Sequence, residues 1–157
     1  MPEQSIIKKG VILFFLLAII FSIPFATRGF MGVDTMNWYH TLPLSPLTPP
    51  DMVFPIVWTV LYFLMAVSAF LVWNKASPRY FVLQLITNGL WPFLFFYLRK
   101  PTAALMDIFV MIVFIVLTMK TFYKASKTAS YLFVPLLCWS IFACYLNGYI
   151  VFHLIGK

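Results

Sequence analysis

Five stretches of the chain are long, apolar and nearly free of charge: Val11–Thr27, Val53–Trp73, Tyr80–Leu98, Ala103–Met119 and Tyr131–Ile155. A helix rises about 1.5 Å per residue, so roughly 20 apolar residues cross the ~30 Å hydrocarbon layer of a bilayer. Each stretch is therefore predicted to be a membrane-spanning helix, and only the fourth holds a charge, Asp107. The connectors are a long segment from Arg28 to Met52 and short ones at Asn74–Arg79, Arg99–Thr102 and Lys120–Ser130. Short connectors make successive helices antiparallel neighbours. The expected fold is an all-α membrane protein, a five-transmembrane-helix bundle forming one domain over residues 1–157. No internal repeat stands out, and an odd helix count disfavours an inverted repeat within the chain.

Composition agrees with this pattern. At 63% hydrophobic and 10% charged, the chain lies far outside the range of soluble domains, which are about 45–50% apolar and about 25% charged. The net charge of +7 does not point to nucleic acid, because the basic residues fall between the apolar runs and read as topology signals. Five spans place Lys8, Lys9, Lys75, Arg79, Lys120, Lys124 and Lys127 on one side, and Arg28, Arg99, Lys100 and Lys157 on the other. The excess puts the amino terminus in the cytoplasm and the long connector outside. Lys8 and Lys9 ahead of an apolar run also resemble a secretory signal, but Pro24-Phe25-Ala26 is a poor cleavage site. With no transit-like leader, a bacterial cytoplasmic membrane is expected rather than an organelle. Cys138 and Cys144 sit six positions apart in the last run, about 120° apart around a helix, which forbids an intrahelical disulfide. With only His40 and His153 to join them, no metal site is expected.

Polar groups at membrane depth carry the chemical information, because exposing them to lipid is costly. Gln84, Asn88 and Trp91 recur at i, i+4 and i+7, so one stripe of the third helix should face the bundle interior. It either bonds to other helices or walls a ligand cavity. Pro92 removes a donor beside this stripe and should kink the helix at Asn88. In the fifth helix Trp139, Phe142, Ala143 and Leu146 share a face, with Asn147 near its edge, and the small Ala beside the indole leaves a recess. Asp107 is expected to bond to Asn88, Asn147 or Gln84, or to pair with Arg99 or Lys100. Pro43, Pro46, Pro49 and Pro50 stiffen the long connector into a folded lid. Asp51 is placed to cap the second helix, and Trp38, Tyr39 and Trp73 suit an interfacial aromatic belt.

These stretches together resemble the translocator protein family, also called tryptophan-rich sensory proteins or peripheral-type benzodiazepine receptors. The family's Trp-Tyr-x-x-Leu, Pro-Pro and Phe-Gly-Pro-Val-Trp-x-x-Leu-Tyr is similar to Trp38-Tyr39, Leu42, Pro49-Pro50 and Phe54 through Tyr62, with Trp58 in place. Its Gln-Leu-x-x-Asn-x-x-Trp-x-x-x-Phe-Phe is matched by Gln84-Leu85, Asn88, Trp91 and Phe95-Phe96. Its Ala-x-x-Asp is similar to Ala104 and Asp107, and its last pattern to Pro135, Trp139, Phe142, Ala143, Leu146 and Asn147. The chain departs from the family at Leu44-Ser45-Pro46-Leu47, where Lys-Pro-x-Trp is common, at Pro55 for the Gly, and at Leu136 for a Tyr. After Tyr149 the first basic residue is Lys157, too far for the sterol-recognition pattern of animal members.

The resemblance implies a five-helix bundle whose first loop closes a central cavity, binding porphyrins such as protoporphyrin IX and other flat lipophilic ligands, often as a homodimer in membrane lipid. No cofactor is implied beyond the porphyrin as ligand. The positions so implied are Trp58, Asn88, Trp91, Asp107, Trp139, Phe142, Ala143, Leu146 and Asn147. Arg28, Arg99 and Lys100 lie at the loop side, where they would meet propionates or anchor at the interface. Three functions follow: a porphyrin binder for sensing or transport; a light-dependent porphyrin-degrading enzyme with Trp58 and Trp139 as radical-forming catalytic residues; or a structural subunit with no saturable ligand.

Overall fold

The computed structural model describes residues 2–27, 29 and 32–156. Seven α-helices account for its regular structure: α1 Pro2–Thr27, α2 Val33–His40, α3 Val53–Leu71, α4 Arg79–Pro92, α5 Pro101–Tyr123, α6 Lys127–Tyr131 and α7 Val134–Ile155, with a π-helical turn at Phe93–Tyr97 continuing α4. No strand occurs among the described residues. Five segments are long and apolar enough to cross a membrane: Lys8–Ala26, Val53–Leu71, Arg79–Tyr97, Pro101–Tyr123 and the α6–α7 pair, Lys127–Ile155. These are the five expected spans, with boundaries that shift for identifiable reasons.

The helix of the first span starts at Pro2, because hydropathy marks the lipid-crossing part and not the polar turns that extend it. The last stretch divides at Leu132–Phe133. Pro135 has no N–H to offer the carbonyl of Tyr131, so the helix restarts with Pro135 in its first turn. Ser126 caps α6, its Oγ accepting from the Ala129 N–H at 3.3 Å. Beyond Pro92, which ends α4, the chain widens into the π turn, with the Leu98 N–H donating to Phe93 O at 2.9 Å. Arg99 then adopts a left-handed backbone (φ 52°), which turns the chain directly into α5.

The long connector contains the helix α2. The expected cap is corrected: Asp51 does not cap α3, whose cap is Met52 with no side-chain bond. Asp51 Oδ2 instead lies 3.1 Å from His40 Nε2 in an exposed pair. Trp38 and Tyr39 are not belt residues either. Both pack on the π turn, Trp38 to Phe95 at 5.7 Å and Tyr39 to Phe96 at 6.0 Å between ring centroids. Trp73 stays exposed at the far end of the bundle.

The spans form a ring in which α1 packs on α3 and α4, α4 on α5, and α5 on α7. Its main core holds Ile20, Met65, Ile108, Ile115 and Phe133, all fully or nearly fully buried. A second cluster at the lid end joins Tyr39, Phe95, Phe96, Ala104 and Ile150. The outer surface exposes Phe15, Ile19, Phe63, Ile86, Val113 and Phe152. A soluble monomer rarely presents so continuous an apolar exterior; in a membrane it meets lipid.

Candidate functional site

The interior polar stripe organises a small cavity between α3, α4, α5 and α7. Gln84 and Asn88 are both buried on the inner face of α4. The Tyr62 hydroxyl of α3 donates to Asn88 Oδ1 at 2.6 Å, a short bond between buried groups. Among the described residues the Asn88 amide N–H reaches only the Met111 sulfur, at 3.7 Å. A thioether is a weak acceptor, so this N–H keeps most of its donor capacity. One turn on, the Trp91 indole N–H donates to Asn147 Oδ1 at 3.1 Å, and the Asn147 amide donates to Pro101 O at 2.8 Å. Asn147 thus ties α4, α5 and α7 together and fixes the Trp91 plane, which stacks on Phe95 at 5.1 Å.

The cavity is lined by Phe54, Trp58, Asn88, Trp91, Ile108, Met111, Trp139 and Ala143, and encloses about 20 Å³. Trp58 lies against Tyr62 at 5.6 Å, and Phe54 meets Trp139 edge-on at 5.9 Å. The space beside Trp139 exists because Ala143, one turn along α7, carries only a methyl group. Indole faces with one amide donor form an apolar slot with a single directional contact, the kind of surface that holds flat aromatic molecules.

The lid side is closed by specific contacts. Ser45 Oγ and Tyr145 Oη share a hydrogen bond of 3.0 Å across 100 residues of sequence. The Arg99 guanidinium lies 5.6 Å from the Trp38 ring centroid, a cation–π contact that holds α2 onto the π turn. The Tyr39 hydroxyl is pushed up from its ordinary pKa by burial, with the Asp51 charge adding to the effect.

Of the residues singled out by sequence, Trp58, Asn88, Trp91, Trp139 and Ala143 converge on this cavity. Phe142 faces a groove outside the ring, and Leu146 is buried without lining the cavity. Asn147 acts behind the wall, through Trp91. Asp107 is buried, at 7% exposure, and the expected pairing is absent: its Oδ2 has no hydrogen-bond partner among the described residues. Asn147 gives its amide to Pro101 O, Asn88 and Gln84 turn their amides toward the sulfurs of Met111 and Met65, and Arg99 is turned to Trp38. Lys100 is exposed at the cap of α5, and Arg28 lies outside the described residues. Sequence reasoning missed Phe54, Ile108 and Met111, which carry no polar signal, and the role of Tyr62, one turn from Trp58 within the motif.

Compared with known proteins, residues 12–153 match the TspO/MBR family. Over 120 residues the chain is 42% identical to the tryptophan-rich protein TspO of Chlorobaculum tepidum, spanning 71% of this chain and 76% of that one. It is 36% identical to the tryptophan-rich protein TspO of Archaeoglobus fulgidus, over 82% of this chain and 87% of the other. The translocator protein of Bos taurus is more distant, at 28% identity over 76% and 79% of the two chains.

Proposed function

The chain belongs to the TspO/MBR family, and from that premise we propose that its interior binds porphyrins and related flat lipophilic molecules, for sensing or transport. At the coarser level it is an integral membrane protein of the translocator and tryptophan-rich sensory kind. The observation that carries the finer reading is the convergence of Trp58, Trp91 and Trp139 around the underused N–H of Asn88. A macrocycle offers two apolar faces to the indoles and polar groups at its edge for the amide. The setting we propose is a bacterial cytoplasmic membrane with the amino terminus inside, and the acting unit a homodimer.

Size sets a condition on this reading. The enclosed space of about 20 Å³ has room for about one water, whereas drug-sized ligands occupy roughly 300–1,000 Å³. The walls must therefore part, and this reading places the movement at the Phe54–Trp139 ring contact, which spans α3 and α7. A second reading, photochemical porphyrin breakdown, draws support from the Trp58–Tyr62 pair at 5.6 Å, an indole and a phenol adjacent enough to share a radical.

The test is a titration of purified protein with protoporphyrin IX, following Trp quenching in the dark and porphyrin absorbance under light, for wild type and Trp139→Phe. Saturable quenching without light-dependent spectral loss is the expected result. Loss of the porphyrin band that requires both light and Trp139 would move the assignment to the enzyme. No saturable quenching would defeat both and leave a structural subunit.

A further inference from the structure

On the outer face of the ring, a groove of about 400 Å³ runs between α3 and α7, opening toward the surrounding lipid. Val57, Val60 and Leu61 form one bank; Pro135, Cys138 and Phe142 form the other. Its back wall is Trp139, the same indole that lines the interior cavity. We propose that this groove is the route by which an apolar ligand passes between the bilayer and the interior, with Trp139 as the movable partition. The proposal rests on the porphyrin-binding reading above and adds the direction from which that ligand comes.

Three observations carry it. First, α3 and α7 do not pack closely along their backbones; α3 meets the last span through α6 instead. The seam is closed mainly by side chains, and the Phe54–Trp139 ring pair at 5.9 Å stands at its inner edge. Second, the lid end is sealed by the Ser45–Tyr145 hydrogen bond, the Arg99–Trp38 contact and the Tyr39–Phe95–Phe96 cluster. A ligand arriving there must break several contacts of different kinds; one arriving through the groove must turn one half-buried indole. Third, the groove lining is almost wholly apolar, its polar side-chain groups being the Cys138 thiol and the Trp139 indole N–H. A molecule that partitions into lipid reaches this surface already desolvated, while the lid side faces water.

A portal is distinguished from a wall of the binding site by kinetics. Narrowing a route raises the barrier for association and dissociation alike and leaves the equilibrium constant unchanged, whereas losing a bound-state contact acts mostly on dissociation. The experiment mixes protein in detergent micelles with protoporphyrin IX in a stopped-flow instrument and reads Trp quenching. The variants are Val60→Phe with Cys138→Phe, which fill the groove, Val113→Phe on the outer face of α5, and Ser45→Ala at the lid. The groove-filled protein is expected to show both rate constants reduced by about tenfold with Kd unchanged, while Val113→Phe and Ser45→Ala behave as wild type. Unaltered rates in the groove-filled protein overturn the portal, as does a change confined to dissociation. Faster association in Ser45→Ala assigns the route to the lid and overturns it as well. If wild type shows no saturable quenching, the binding reading fails first and the portal falls with it.

Discussion

Asn147 joins three spans through one buried amide, and its replacement by Leu, similar in volume but without polar atoms, isolates that function. The substitution removes the bond from the Trp91 indole at 3.1 Å and the bond to Pro101 O at 2.8 Å. Hydrogen bonds contribute about 0.5–1.5 kcal/mol each, and a buried donor left without a partner costs about 1–3 kcal/mol. Within membrane proteins the average bond is nearer 0.6 kcal/mol, because the unfolded chain in lipid also finds partners. The Pro101 carbonyl remains in the first turn of α5, so the indole N–H dominates the loss. The expected total is about 2 kcal/mol, or a fall in Tm of about 4–8 °C for a chain of this size. Thermal unfolding followed by circular dichroism in one detergent provides the assay. A cycle with Trp91→Phe isolates the pair, since Phe keeps the ring contact with Phe95 but has no N–H to strand. The two changes should be non-additive by about 0.5–1.5 kcal/mol. Stability within about 1 °C of wild type for Asn147→Leu, or strict additivity in the double variant, would refute the assignment of this amide as the tie between α4, α5 and α7.

Asp107→Leu is expected to raise Tm, because it removes a buried carboxyl whose Oδ2 has no partner, a burden of about 1–3 kcal/mol; a clear fall in Tm would mean that the carboxyl is engaged in the folded protein. The lid should loosen in alkali. The Tyr39 pKa is raised above 10.0 by burial first and the Asp51 charge second, so its contribution is fully present below about pH 10 and is lost as pH rises through the folded-state value. Trp38 fluorescence should report this as an alkaline transition that Tyr39→Phe removes; a transition that persists in Tyr39→Phe would count against the assignment.

How far the fold was legible depended on what each residue type must do in lipid. The five spans follow from apolarity alone, and the inward aim of Gln84 and Asn88 follows from the cost of exposing amides to hydrocarbon. Pro92 marked a break in α4 but not its form, because the freed carbonyls can be satisfied by a kink or a π turn. The short helix α2 was missed because its Val33–His40 segment has no apolar stripe, and its helicity comes from packing on the π turn. At the cavity, Trp58, Asn88, Trp91, Trp139 and Ala143 were legible as parts of motifs. Phe54 opens the motif that holds Trp58 but was not singled out as a site residue, and Ile108 and Met111 were not legible, since apolar residues in a fully apolar helix carry no phase. The Asp107 expectation failed because a list of available partners does not say which way each of them is turned.

The central claim is that the space between Trp58, Asn88, Trp91, Trp139 and Ala143 holds a flat ligand. The most direct measurement is the Kd for protoporphyrin IX in wild type and in Ala143→Phe, with Tm measured on both proteins. Filling the recess should weaken binding by tenfold or more, about 1.4 kcal/mol, in a protein that still unfolds cooperatively. An unchanged Kd in a folded Ala143→Phe protein would show that the ligand binds elsewhere and would contradict the account.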